Sequence, residues 1–291
     1  MKQLTILSGK GGTGKTTITA SLAFLARKAV LADCDVDAPD LHMLLHPEVI
    51  KTQEFKGSKL AVIDKTKCDN CGFCREKCRF DAITKATEVD PIACEGCGVC
   101  AAICPADAIT MIVRISGYAY ISKTKYGLMA HASLNPGEAN SGKLVTLVRQ
   151  NARILFEKEN SDLIIIDGPP GIGCPVIASV TGVDIGLVVT EPTMSGIHDL
   201  QRALQLLAHF NVKSLVTVNM HDINFDNTEK ILRFCEENSI EVVGRIPFNP
   251  KVIEAMVNGK SIVEYAPESD VAKEIENIWK RCRASLNLGN G

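Results

Sequence analysis

Two groups of residues in this sequence have types and spacings that could carry chemistry. Near the start, Gly9-Lys10-Gly11-Gly12-Thr13-Gly14-Lys15-Thr16 fits the pattern G-x-x-x-x-G-K-[ST]. Eight cysteines between residues 68 and 104 form the second group. Glycine-rich loops bind phosphate through their backbone N–H groups, and closely spaced thiolates bind metals.

The glycine-rich segment has the flanking elements that a phosphate-binding loop requires. Residues 4–7 are an apolar strand pattern, and an alanine-rich helix pattern follows over about 16–27. Strand, glycine loop and helix together indicate a P-loop. We expect Lys15 to reach the β- and γ-phosphates and Thr16 to bind Mg²⁺. The predicted phosphate-binding residues are Gly9, Gly11, Gly12, Thr13, Gly14, Lys15, Thr16 and Thr17.

The cysteines form an internal repeat. A run C-x2-C-x2-C-x3-C begins at Cys68 and recurs 26 residues later at Cys94, and the segment 81–84 recurs as 107–110. Such a repeat predicts two pseudo-symmetric halves packed together. The spacing suits [4Fe-4S] clusters, whereas zinc sites use separated pairs of cysteines.

This double run resembles the bacterial two-cluster ferredoxins over residues 61–113. In that family the fourth cysteine of each run ligates the other cluster. The resemblance therefore implies one cluster held by Cys68, Cys71, Cys74 and Cys104. It implies a second cluster held by Cys94, Cys97, Cys100 and Cys78.

The rest of the chain predicts a single host domain formed by residues 1–60 and 114–291, interrupted by the insert 61–113. Apolar strand patterns alternate with helix patterns through this host. The alternation favours an α/β fold with a doubly wound, mostly parallel sheet, carrying a small α+β insert. The strand pattern 163–167 ends in Asp167, which we expect beside the P-loop, holding Mg²⁺ through water.

Composition narrows the possible functions. The chain has 291 residues, with 32 Lys and Arg against 34 Asp and Glu, so its formal net charge is −2. This balance argues against nucleic acid as a partner. No apolar run has the length of a membrane span, and the N-terminal segment does not have the pattern of a signal peptide. We therefore expect a cytoplasmic protein with no membrane partner, and in that reducing compartment metal ligation rather than disulfides.

Lys10 inside the P-loop points to a particular family. The segment 10–16, with its extra lysine, resembles the deviant Walker A motif of the MinD/ParA/Mrp/nitrogenase-iron-protein superfamily. That resemblance implies a slow, partner-stimulated ATPase that forms an ATP-dependent homodimer, or a heterodimer with a paralogue. It also implies that Lys10 crosses the dimer interface to the partner's nucleotide.

The same resemblance assigns further positions. Asp35, in the acidic segment after the second strand, is expected to orient the attacking water. Asn219 and the pair Pro247-Phe248 correspond to the adenine contacts of the family. Asp199 corresponds to a position at the dimer face.

Cys174 leaves two interpretations open. It follows Asp167 by seven residues, and the nitrogenase iron protein has a cluster ligand at this offset. The thiol would then be a ligand or redox-active group at a dimer interface. The alternative is a purely structural cysteine, because the sequence shows no counterpart of that protein's second ligand.

The combination of ATP, Mg²⁺ and two [4Fe-4S] clusters suggests three functions. The first is an ATP-driven dimer rearrangement that passes electrons to a redox partner. The alternative is an Mrp-like assembly or carrier protein that delivers clusters to an accepting protein. A positioning ATPase of the MinD/ParA kind is the third, and two complete cluster motifs argue against it.

Overall fold

A computed structural model describes residues 1–138 and 141–288. Within these residues the strands are β1 (Lys2–Ser8), β2 (Ala29–Asp33), β3 (Glu48–Phe55), β4 (Ser58–Ile63), β5 (Ile109–Arg114), β6 (Gly117–Thr124), β7 (Gly127–Leu134), β8 (Leu163–Pro170), β9 (Ile185–Thr190), β10 (Lys213–Asn219) and β11 (Glu241–Ile246). The described helices are α1 (Lys15–Ala26), α2 (Leu41–Leu45), α3 (Phe73–Glu76), α4 (Val99–Ala102), α5 (Ser141–Glu159), α6 (Cys174–Val180), α7 (Met194–His209), α8 (Phe225–Glu237), α9 (Lys251–Val257), α10 (Ile262–Tyr265) and α11 (Asp270–Ser285).

Nine of the described strands form one sheet in the order β11-β10-β9-β1-β8-β2-β7-β6-β3. The strands from β11 to β7 run parallel, and β6 and β3 add an antiparallel edge. The predicted mostly parallel α/β sheet is therefore confirmed. The antiparallel edge arises because β6 and β7 are joined by a tight hairpin, which places consecutive strands side by side in opposite directions.

Helices cover both faces of this sheet. One core cluster packs α1, α2, α10 and α11 against the sheet, and the other packs α5, α6, α7 and α8 against the opposite face. Strands buried on both faces explain the continuous apolar runs of the sequence, such as Leu163–Ile166. The loops after β1, β2, β8 and β10 emerge at the carboxyl edge of the parallel strands, where ligands bind in open α/β sheets.

The cysteine-rich segment forms a separate unit, which we call the cysteine unit and define as residues 58–114. The antiparallel pair β4–β5 closes it, so its limits lie slightly outside the predicted 61–113. A small cluster of its own contains Ala61, Cys74, Ala82, Ile83, Cys94 and Ile109. The preceding strand β3 belongs to the main sheet.

Hydrogen bonds within the cysteine unit follow the 26-residue offset of the sequence. Asp64 N–H donates to the Ala108 carbonyl, and Asp90 N–H donates to the Ala82 carbonyl, both at 2.8 Å. Each bond connects one copy of the repeat to the other. The two halves of the repeat thus interlock around a pseudo-two-fold relation, as the duplicated sequence predicts.

None of the helices within residues 1–138 and 141–288 combines the length and apolar character needed to cross a membrane.

Candidate nucleotide and cysteine sites

The loop between β1 and α1 takes its shape from glycine. Gly12 and Gly14 have φ angles of 82° and 87°, in the left-handed region that side chains disfavour. A Cβ atom on Gly14 would lie 2.4 Å from the Asn219 amide nitrogen. Glycine at position 14 therefore permits both the turn into α1 and the approach of the strand β10 terminus.

Lys15 and Asp167 form the centre of the nucleotide site. The Lys15 ammonium lies 3.0 Å from one Asp167 oxygen, and Thr16 donates a hydrogen bond to the other oxygen at 2.9 Å. Thr19 donates to the first oxygen at 2.8 Å. Burial alone would lower the pKa of Lys15, but the adjacent Asp167 carboxylate outweighs burial and raises it. Lys15 is consequently charged, and Asp167 of the same chain holds it in place.

Asp33 is a buried carboxylate at this site that the sequence patterns did not distinguish from its neighbours. It pairs in register with Asp167 across β2 and β8. One of its oxygens accepts the Asp35 N–H at 3.1 Å, and the other accepts no hydrogen bond from the described residues. Burial and the charge of Asp167 raise its pKa well above the usual range. Strand register, which sets the two carboxylates side by side, is the signal that could have identified it.

Asp35 and Asp37 face the same cavity from the loop after β2. An Asp35 oxygen lies 3.9 Å from the Lys15 ammonium. Burial is the main reason that the pKa of Asp35 rises to about 6, although Lys15 opposes the rise. Burial also raises the pKa of Asp37. A carboxylate with a pKa near neutrality is suited to hold a water or accept a proton.

The cavity has a volume of about 600 Å³, within the range of small-molecule sites. Its lining combines P-loop residues 11–17 with the predicted adenine contacts Asn219, Pro247 and Phe248. The Asn219 side-chain amide donates to the Thr13 carbonyl at 2.8 Å, which ties β10 to the P-loop. Phe248 is half exposed and its N–H donates to Asp222 at 2.7 Å.

Gly9 and Lys10 are not among the described residues that line this cavity. A Cβ atom on Gly9 would lie 2.3 Å from that of Asp199, so Gly9 permits close packing against α7. The Lys10 ammonium lies 2.6 Å from Glu191 and donates to Ser195 at 2.9 Å. The lysine is therefore held on its own subunit, next to the position predicted for a dimer face.

The donor set at the nucleotide site fits a hydrated Mg²⁺ ion. The unpartnered Asp33 oxygen and the Thr16 hydroxyl are hard oxygen donors of the kind that Mg²⁺ prefers. Asp33, Asp35 and Asp167 give the site an excess of carboxyl groups over its one lysine, and repulsion from Asp167 contributes to the raised pKa values of Asp33 and Asp35. A divalent cation would offset this excess and would bridge the protein to a polyphosphate.

The cysteine unit contains a second cavity, lined by cysteines from both repeats. Cys94, Cys97 and Cys100 come from the second run, and Cys78 comes from the first. The crossing of Cys78 into the other run's site is the arrangement that the ferredoxin resemblance implies. Phe80 and Val99, also lining the cavity, are partly exposed at its rim.

The chemistry of these thiols fits iron–sulfur ligation. All twelve cysteines lie within the described residues and none forms a disulfide there. Burial raises the pKa of Cys100, and repulsion from Cys94, Cys97 and Cys74 raises it further. Crowded thiols of this kind give up their protons when they bind a metal centre. In the part of the chain that the structure describes, no three His, Cys, Asp or Glu side chains converge as around one metal ion.

Cys174 is exposed at the first position of α6. A Cβ atom on Gly142, at the start of α5, would lie 3.3 Å from the Cys174 side chain. The following residue, Pro175, lines the nucleotide cavity. The exposure of the thiol argues against a role in the core and leaves it accessible next to a residue of the nucleotide cavity.

Comparison with known proteins gives a consistent result. Residues 4–262 match the sequence profile of the CobQ/CobB/MinD/ParA nucleotide-binding domain. An uncharacterized protein of Methanocaldococcus jannaschii is 36% identical over 287 residues, covering 97% of this chain and 96% of that protein. An iron–sulfur cluster carrier protein of the same organism is 23% identical over 296 residues, covering 96% and 83%. The septum site-determining protein MinD of Pyrococcus horikoshii, complexed with Mg-ADP, is 17% identical with a TM-score of 0.60, over 97% of this chain and 95% of that chain. With so few identical residues, this last likeness shows the fold alone.

Proposed function

This chain belongs to the CobQ/CobB/MinD/ParA family of nucleotide-binding domains, and we propose that it is an ATP-dependent iron–sulfur cluster assembly or carrier protein. The observation that carries the proposal is the presence, in one chain, of a nucleotide cavity and a cavity lined by four cysteines. A relative of similar extent is named as an iron–sulfur cluster carrier. These points favour the carrier function over electron donation, which the motifs alone placed first.

As a member of this family the chain is a P-loop ATPase. In the proposed reaction the backbone of residues 11–16 binds the phosphates, and Lys15 turns from Asp167 to the β- and γ-phosphates. Thr16, Asp33 and Asp167 would hold Mg²⁺. The ion supplies charge neutralisation at the phosphates.

Asp35 takes the role of orienting the attacking water. Its carboxylate lies at the cavity, and its pKa of about 6 leaves it ionised at neutral pH. Phosphoryl transfer depends mainly on positioning and charge stabilisation. A single carboxylate that positions water, with no arginine at the described cavity lining, is consistent with slow hydrolysis that a partner stimulates.

The eight cysteines of the cysteine unit hold two resident [4Fe-4S] clusters in this proposal. Cys68, Cys71, Cys74 and Cys104 hold one, and Cys94, Cys97, Cys100 and Cys78 hold the other. The cavity lined by the second set supports the crossed assignment. These clusters supply one-electron chemistry when bound.

The transferred cluster is cargo, and we assign it to Cys174. In an ATP-dependent dimer of two copies, or of this chain with a paralogue, two such exposed thiols would face one another beside the nucleotides. Lys10 would leave Glu191 and reach the partner's phosphates. The receiver is a cytoplasmic apo-protein that accepts a cluster.

Electron donation to a redox partner is the second candidate. The observation that favours it is the complete double run of cysteines, because a carrier needs only transient ligands. Mg-ATP would then shift a cluster potential, and a shift of about 60 mV would correspond to a tenfold change in equilibrium for a one-electron step.

The deciding experiment measures cluster transfer. Protein reconstituted anaerobically is mixed with an apo-protein that accepts a [4Fe-4S] cluster, together with Mg-ATP, Mg-ADP or no nucleotide. We expect Mg-ATP to accelerate transfer about tenfold, as typical coupling energies allow. Cys174→Ser should abolish transfer while the iron bound to the cysteine unit is retained.

Transfer at one rate in all three nucleotide conditions would overturn the carrier proposal. An EPR-monitored redox titration of the same samples then decides the second candidate. A potential shift with Mg-ATP, without transfer, would establish electron donation instead.

A further inference from the structure

Arg114, the last residue of β5, connects the cysteine unit to the host domain. Its guanidinium donates to the Pro91 carbonyl and to the Cys94 carbonyl at 3.4 Å. Pro91 and Cys94 belong to the loop that enters the second cysteine run. A single side chain therefore holds the backbone of this loop at two points.

The same guanidinium is paired with the host. Its Nε lies 2.8 Å from a Glu138 oxygen and donates to the Ser58 hydroxyl at 2.8 Å. Ser58 in turn donates to the other Glu138 oxygen at 2.8 Å. The Arg114 and Glu138 side chains are only 17% and 9% exposed, so solvent screens the pair weakly. We call Arg114, Ser58 and Glu138 the Arg114 joint.

The host side of this joint is attached to the nucleotide site. Glu138 ends the turn after β7, and Leu134, the last residue of β7, donates its N–H to the Val36 carbonyl at 3.0 Å. Val36 lies between Asp35 and Asp37, both of which line the nucleotide cavity. A shift of Asp35 or Asp37 upon nucleotide binding would therefore be passed through this hydrogen bond to the end of β7 and the turn that follows it.

The joint acts on only one of the two repeats. The position equivalent to Arg114 in the first repeat, 26 residues earlier, is Glu88. A carboxylate has no proton to donate to a backbone carbonyl at neutral pH. The host also packs closely against this loop of the second repeat. A Cβ atom on Gly137 would lie 3.4 Å from Ile92. The loop of the second run is thus the one tied to the host.

We propose that Arg114 is a positioning residue that transmits movement of the Asp35–Asp37 segment to the loop 91–97. Nucleotide exchange changes how this loop presents Cys94 and Cys97, and leaves the equivalent loop of the first repeat unaffected. The inference rests on the proposed function only in taking that loop to hold a cluster. The mechanical connection itself is formed by protein groups.

The test compares backbone hydrogen exchange in Mg-ADP with that in Mg-AMPPNP, a non-hydrolysable ATP analogue, in the protein as purified. In the wild type we expect the nucleotide to change exchange in residues 91–97 and not in 65–71, the equivalent residues of the first repeat. Arg114→Gln and Glu138→Gln should each reduce this nucleotide-dependent difference about fivefold or more. Lys125→Gln, which breaks the ion pair with Glu264 elsewhere on the host, should leave it unchanged.

A merely structural role for Arg114 predicts faster exchange in both nucleotide states, with the difference between the states retained. That result, or a wild type without any nucleotide effect in 91–97, would overturn the proposal. If Arg114→Gln does not fold, Glu138→Gln decides, because it keeps the size of the side chain and loses the charge. Retained exchange coupling without cluster transfer would overturn the carrier function alone, and the reverse result would overturn the joint alone.

Discussion

The nucleotide site and the cysteine unit are assembled in opposite ways. The nucleotide site joins residues that are distant in sequence: Lys15 meets Asp167 across 152 positions, and Asn219 meets Thr13 across 206. The eight cysteines of the cysteine unit all lie between residues 68 and 104. One site depends on the packing of the whole sheet, and the other on local loops of a duplicated segment.

The two regions also differ in what stabilises them. The sheet is covered by large apolar clusters on both faces. The buried cluster of the cysteine unit consists of two alanines, two isoleucines and two cysteines. So small a core cannot stabilise a unit of this size without cross-links or metal. We infer that the nucleotide site is formed by the polypeptide alone, whereas the cysteine unit depends on the clusters proposed to bind there.

Loss of Lys15 should have the largest effect of these changes, and that effect should be confined to the nucleotide site. Lys15→Ala removes the cation proposed to contact the phosphates and leaves Asp167 without its ion pair. We expect ATP hydrolysis to fall by about 10²–10³-fold, the typical result of removing a preorganised charge from a reacting group. Phosphate release measures the rate. The iron content should stay at the wild-type value, and a parallel loss of iron would show that the regions are not independent.

Removal of iron should affect the other region. Anaerobic chelation should accelerate amide exchange in residues 64–108 by about a hundredfold, because the small core cannot hold that fold alone. Exchange in β1, β8 and β9 should remain slow, and the affinity for Mg-ADP should remain unchanged. Equal loosening of both regions would contradict the proposed difference in their stabilisation.

The ionised Asp35 carboxylate should destabilise the folded, nucleotide-free protein. Its pKa is raised from 3.8 to about 6, so its stabilising contribution is complete below about pH 4 and is lost as the pH rises through about 6. Asp35→Asn avoids burying this charge beside Asp33, Asp37 and Asp167. We expect the variant to be more stable than the wild type by about 1–2 kcal/mol at neutral pH.

Urea unfolding at about pH 7.5 and about pH 4 measures this difference. The difference should shrink to about 0.5 kcal/mol or less at the lower pH, where Asp35 is protonated in the folded chain and already partly protonated in the unfolded chain. A variant that is less stable than the wild type at neutral pH would contradict the expectation that this buried charge destabilises the folded protein. Asp35→Asn should also hydrolyse ATP more slowly, as expected for a residue whose strain serves function.

A change of about twofold in iron content should distinguish individual cysteines. Cys78→Ser should lower the iron content by about half, because one of the two proposed clusters would lose its fourth ligand. Cys235→Ser, at a buried cysteine of α8 outside both runs, is the matched control and should retain all iron. Iron content and the EPR spectrum check the result. Loss of iron from the Cys235 variant would show that iron content follows stability rather than ligation.

Much of the fold could be predicted from the sequence, because its signals are local. The buried strands have continuous apolar runs, and the structure extends the predicted strands 4–7 and 163–167 by only a few residues, to β1 and β8. The strand β3 was not predicted. Its side chains are almost all exposed, so it lacks the apolar pattern on which the other predictions depended.

The candidate sites divide along the same line. The P-loop and the cysteine runs are contiguous or regularly spaced, so their residue types and spacing were sufficient to indicate phosphate and metal chemistry. Asp33 was missed because its buried, unpartnered oxygen depends on the register between β2 and β8. Lys10 was predicted to face a partner subunit, and its partners within this chain include Glu191, Thr193 and Ser195.

The sequence by itself determined which chemistry this protein can carry, since that depends on glycine, lysine and cysteine at short spacings. Tertiary structure alone decided which carboxylates surround Lys15 and where Lys10 rests. It also decided that Arg114 connects the second cysteine run to Glu138. These contacts join segments that meet only when the parallel strands align at one edge of the sheet. Their energies depend on burial and distance, and neither quantity is contained in a local pattern of residues.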